Sequence, residues 1–163
     1  MKHFLASIAL LGSTLLPVGT TTEHHSDKKL SSKKTNEHPL TLDEALIFFS
    51  NKEGIDPKIV RAMIRKESRG ILDAKSPKGA IGLLQLLPKT ARLMGVDPYD
   101  PLQNLQGGIG YFAQQLRRFK KLDLALAAYN AGPSRVAKAG KVPNLKETKN
   151  YVNTILEDLE RIG

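Results

Sequence analysis

From Leu40 onward, apolar residues recur at intervals of three and four, and each such run is closed by a residue that stops a helix. No stretch of useful length alternates apolar and polar with a period of two, so strands contribute little. "LDEALIFFSNKE" follows Thr41, and Glu44 stands three positions after that threonine, the pattern of a capping box closed at Gly54. Asp56 caps the next helix, with Pro57 in its first position. A short helix is expected from Pro88 to Met94, stopped at Gly95. A longer one runs from Pro101 to Phe119, with Leu105, Ile109, Phe112 and Leu116 in register. "LDLALAAYN" forms another, ending at "AGP". The last covers roughly Lys146 to Arg161, with Val152, Ile155, Leu156 and Leu159 inward. The apolar, glycine-rich "KGAIGLLQLLP" selects no geometry by its spacing. The expectation is an all-α globular domain over residues 40–163.

The 39 residues before it read differently. "MKHFLASIALLGSTLLPVG" places Lys2 ahead of an apolar run from Phe4 to Leu16, the layout of a secretory signal or N-terminal anchor over residues 1–20. A buried N-terminal helix is the plainer alternative, and no small-x-small alanine pair marks a cleavage site. Residues 21–39 have almost no apolar content and are expected to be a disordered basic linker.

Composition narrows the chemistry. The 163 residues suffice for one domain with a core. There is no cysteine, which removes disulfides, thiolate metal sites and a cysteine nucleophile. Four histidines, three of them before residue 26, make an imidazole mechanism or metal cage a poor fit, and no cofactor is expected. A net charge of +9 suits a polyanionic partner or simply a solvated surface. Nucleic acid is disfavoured, because its binders interleave aromatics with cations and the aromatics here fall at apolar helical positions.

Within "RAMIRKESRG", Glu67 lies three, four and seven residues after Ile64, Met63 and Val60, on the apolar stripe of its helix. The helix is expected to end around Gly70, so Glu67 sits in the last turn. Burial and the negative end of the helix dipole both disfavour an ionised carboxylate there. Two readings remain open from periodicity. Glu67 is a neutral general acid, or it reaches a buried Arg or solvent. Other polar groups recur in apolar segments: Gln85 in "GLLQLLP", Tyr129 and Asn130 in "ALAAYNAG", and Glu147 with Tyr151 four apart on the final helix. Each has a structural reading as core amide, packing ring or helix cap. Together they suggest a pocket with one acid and several amide and phenol groups.

At these residues the sequence resembles the soluble lytic transglycosylase domain, a lysozyme-like module that cleaves peptidoglycan. "IRKESRGILDAKSPKGAIGLLQLLP" is similar to the family's Glu-Ser segment and Gly-Leu-x-Gln-x-x-Pro motif. "NLQGGIGYFAQQL" is similar to its Asn- and Gly-containing helix. "ALAAYNAGPSRV" resembles the Ala-Tyr-Asn-Ala-Gly motif, and "ETKNYVNTIL" the closing Glu-Thr and Tyr-Val helix, all in order over about residues 42 to 160. Leu84 and Leu87 stand where many members carry Met, a nearly volume-conserving change. The resemblance implies a lysozyme-like helical fold with Glu67 as acid/base and Ser68 hydrogen-bonding near it. Gln85 would contact the sugar. Tyr129 would orient the Glu67 carboxyl with Asn130 beside it, and Glu147 and Tyr151 would bind saccharide or shape the groove.

The implied reaction uses one carboxyl group. It protonates the bond between N-acetylmuramic acid and N-acetylglucosamine, then takes a proton from the muramic acid C6 hydroxyl as a 1,6-anhydro ring closes. A hydrolase normally needs a second carboxylate about 5 to 9 Å away. Asp73 is the candidate by proximity, although "ILDAKSP" reads as a turn. The rival readings are a goose-type-lysozyme-like hydrolase and a non-catalytic peptidoglycan-binding module of an envelope-spanning machine. The expected partners are glycan strands in the periplasm or cell envelope, with a secretion or conjugation assembly as a further possibility and a monomeric protein.

Overall fold

The structure is a computed structural model that describes residues 40–162. The expected signal (1–20) and linker (21–39) lie outside the described residues. Seven helices occur among the described residues: α1 (Leu42–Glu53), α2 (Pro57–Glu67), α3 (Pro88–Met94), α4 (Pro101–Phe119), α5 (Leu122–Ala131), α6 (Pro133–Ala139) and α7 (Lys146–Ile162). Strand structure among them is confined to two isolated bridges, Lys75 with Ile81 and Ile81 with Leu86.

The caps explain the boundaries. The Thr41 hydroxyl accepts from the Glu44 amide while the Glu44 carboxylate accepts from the Thr41 amide at 2.8 Å, completing the capping box. Asp56 accepts from the Lys58 amide at 2.8 Å. Asp100, unassigned from the sequence, accepts from the amides of Leu102 and Gln103 and starts α4. Gly54 and Gly95 close their helices in the left-handed conformation.

Two boundaries differ from expectation. Helix α2 stops at Glu67 rather than near Gly70, because Arg69 and Gly70 take positive φ values of 57° and 82°. Helix α6 was not expected. Pro133 supplies its first position, and seven residues are too few for an apolar period to register. Helix α5 runs through Asn130 to Ala131, with Gly132 rather than Asn130 at its cap.

The core gathers around α4, which packs against α1, α3 and α5; α7 covers α2 and α5. Leu105, Ile109, Phe112, Val152 and Ile155 are buried as the register predicted, with Leu116, Leu156 and Leu159 packed at its margin. The segment whose geometry was open, residues 81–86, is a tight loop. Ile81 and Leu86 exchange both backbone hydrogen bonds, at 3.0 and 2.9 Å. Two contacts press this loop onto α4. A Cβ on Gly108 would stand 2.6 Å from the Leu84 Cβ, and one on Gly82 (φ 76°) would strike the Asn104 amide at 2.3 Å. The fully buried Asn104 then holds the loop, accepting from the Leu84 amide and donating to Ile81 O and Pro98 O at 2.8–2.9 Å.

Candidate active site

Glu67 closes α2 on the stripe set by Val60 and Met63, which are 0% and 1% exposed, and its carboxyl opens into a cavity of about 300 Å³. Burial raises its pKa from 4.5 to about 7; the Tyr151 phenol pulls it back, the Glu147 charge raises it, and Lys66 lowers it. The four cations on its own segment do not neutralise it. Arg61 pairs with Asp43 and Arg65 with Asp158, Lys66 donates to the Thr154 hydroxyl at 3.3 Å, and Arg69 is exposed. Glu67 makes no ion pair among the described residues. A buried Arg partner, one half of the structural alternative, is not found among the described residues.

Gln85, Tyr129, Asn130 and Glu147 line the same cavity, joined by Ser76, Pro77, Lys78, Ala80 and Leu87. Gln85 sits at φ 45°, a conformation costly for a side-chain-bearing residue. Its Nε2 donates to Ala74 O at 3.1 Å and to Gly82 O at 2.9 Å, while its Oε1 has no partner among the described residues. Asn130 Oδ1 accepts from the buried Thr148 hydroxyl at 2.9 Å, tying α5 to α7 and leaving Nδ2 without a described partner. Glu147 is exposed and meets Lys78 at 3.4 Å, a weak surface pair.

Three residues differ from the expected arrangement. The Tyr129 hydroxyl donates to Leu84 O at 2.7 Å, so it fastens the 81–86 loop instead of the Glu67 carboxyl. The phenol that acts on Glu67 is Tyr151, buried and outside the cavity lining. The Tyr151 hydroxyl is buried with no hydrogen-bond partner among the described residues. Ser68 is 5% exposed and turned to backbone, donating to Ile64 O and accepting from the Gly70 amide, so it caps the helix end. Asp73 is exposed and does not line the cavity. Lys78 escaped notice in the sequence because a lysine in a Pro-Lys-Gly turn carries no periodic signal. Among the described residues no cluster of three or more His, Asp or Glu could hold a metal ion.

A helical globule with one unpaired acid in a polar-lined cleft defines a lysozyme-like class of domain, and known proteins share it. The model of the Transglycosylase SLT domain matches residues 44–152. A "Transglycosylase" of Enterobacteria phage PRD1 is 33% identical over 111 residues, covering 68% of this chain and 40% of that protein. The "Membrane-bound lytic murein transglycosylase F" of Cellvibrio japonicus is 40% identical over 93 residues, covering 52% of this chain and 19% of its own length. Among solved structures, the lytic transglycosylase Slt of Pseudomonas aeruginosa, an inactive Glu-to-Gln mutant, superposes with a TM-score of 0.63 at 29% identity, over 74% of this chain and 23% of that one. The chain belongs to the transglycosylase SLT domain family, and it spans less than half the length of each of these relatives.

Proposed function

We propose that the domain cleaves peptidoglycan glycan strands as a lytic transglycosylase, with Glu67 as the sole acid/base. The observation that carries this reading is the Glu67 carboxyl itself, raised to about 7 by burial and paired with no cation among the described residues. Near neutrality such a group is divided between acid and base forms, as a residue that must both give and take a proton requires. Protonated Glu67 donates to the glycosidic oxygen as the C1–O bond breaks. The resulting carboxylate accepts the muramic acid C6 hydroxyl proton as that oxygen bonds to C1, and a 1,6-anhydro end leaves with no water consumed. The names of the relatives support the same chemistry, as does the Glu-to-Gln change in an inactive one.

The polar groups take roles suited to their free atoms. Gln85 offers Oε1 as an acceptor and Asn130 offers Nδ2 as a donor, a pair matched to the N–H and C=O of an N-acetyl group. Tyr129 acts through the loop that carries Gln85, and Tyr151 positions the Glu67 carboxyl. The substrate lies outside the cytoplasm, and residues 1–20 would carry the domain there.

One observation favours a second reading. Glu147 shares the cavity, and as a second carboxylate it could activate water for hydrolysis. Two variants decide between them. Glu67→Gln should keep its helix content and a cooperative melting transition no lower than that of wild type while losing turnover, and turnover retained by this variant would remove the acid/base. Glu147→Gln should keep turnover within a few-fold, because the C6 hydroxyl replaces water. Its complete inactivation would favour the hydrolase.

A further inference from the structure

A second, larger cavity of about 720 Å³ opens beside the first and shares Lys78, Asn130 and Glu147 with it. Its outer wall carries Arg135 and Lys138 of α6 and Lys146 at the start of α7. None of these three meets a carboxylate among the described residues; Arg135 donates to a backbone carbonyl, Ala131 O at the end of α5, at 3.2 Å. The single acid on the wall, Glu147, is already engaged by Lys78. Three uncompensated cations thus ring a space continuous with the acid's cleft.

An uncharged run of N-acetyl sugars gives such cations nothing to bind. Peptidoglycan places its carboxylates on the peptide carried by muramic acid, the sugar whose C1 is attacked. We propose that the cavity ringed by Arg135, Lys138 and Lys146 receives the carboxylates of that peptide, making the domain selective for peptide-bearing strands. This rests on the substrate assigned above. The two cavities divide the substrate between them, with amides and the acid meeting the sugar in one and cations meeting the branch in the other.

The test uses the full chain and a variant combining Arg135→Gln, Lys138→Gln and Lys146→Gln, with Lys138→Glu alone as a second charge change. Both are assayed on soluble peptide-bearing strands and on the same strands with their carboxylates chemically amidated. The combined variant should lose about tenfold in kcat/KM on native strands and almost nothing on amidated ones, where wild type should itself have fallen. Added salt should slow wild type more than the variant. Wild-type rates from the variant on native strands, or equal losses on both substrates, would overturn the proposal. Affinity for a soluble muropeptide is measured in parallel. A wild type that binds without cutting would sink the catalytic reading, while its affinity relative to the variant would still decide this one.

Discussion

Glu67 ionises less readily in the folded chain than in the unfolded one, and this makes protein stability depend on pH in a fixed direction. Below about pH 4.5 both states are protonated. Between 4.5 and about 7 only the folded state holds the proton, so stability falls as pH rises, and above 7 the loss is complete. A shift from 4.5 to about 7 corresponds to roughly 3 kcal/mol. Glu67→Gln should therefore melt above wild type at pH 8 and level with it at pH 4, while being inactive at both; a constant difference in melting temperature would contradict the buried acid. Activity should fall as pH rises through 7, since the proton donor is lost. Glu147→Gln removes a charge that raises the Glu67 pKa and should move this fall to lower pH, whereas Tyr151→Phe removes a contact that lowers it and should move the fall higher. A pH–rate profile of kcat/KM for each variant checks both directions. Tyr129→Phe should instead cost about 1 kcal/mol of stability by stranding Leu84 O, read from denaturant unfolding.

The 81–86 loop is the element that sets the cleft, and α4 is what shapes it. Gly108→Ala would drive a Cβ into the Leu84 side chain and should destabilise by about 1–3 kcal/mol. Asn104→Ala strands the buried Leu84 amide and the part-buried Pro98 O, leaves Ile81 O with the Leu86 amide alone, and should cost at least as much; a Leu84 amide still protected from hydrogen exchange in that variant would contradict the clamp. Long elements were legible because their signals are local: a capping box at Thr41, proline first positions at Pro57 and Pro101, glycine stops at Gly54 and Gly95. The loop was not, since its shape comes from α4 residues that lie more than twenty positions downstream of Gly82. The site divided along the same line. Glu67 was legible as an acid on an apolar stripe, and Gln85, Asn130 and Glu147 do share its cavity. The bond from Tyr129 to the loop, and the effect of Tyr151 rather than Tyr129 on the Glu67 carboxyl, were not, because they depend on how the two rings pack in three dimensions.

At the scale of the whole molecule, α2 presents the acid, the 81–86 loop and the end of α5 present the amides, and α7 supplies the phenol beneath and part of the cation rim beside. Among the described residues no helix is long and apolar enough to cross a membrane. The most direct measurement is mass spectrometry of the products that the purified protein releases from peptidoglycan, run beside Glu67→Gln. Fragments ending in 1,6-anhydromuramic acid, each lighter by one water than its hydrolysis counterpart and absent with the variant, are the predicted result. Hydrated reducing ends from the wild-type protein would contradict the single acid/base and return the chemistry to a water activated by Glu147.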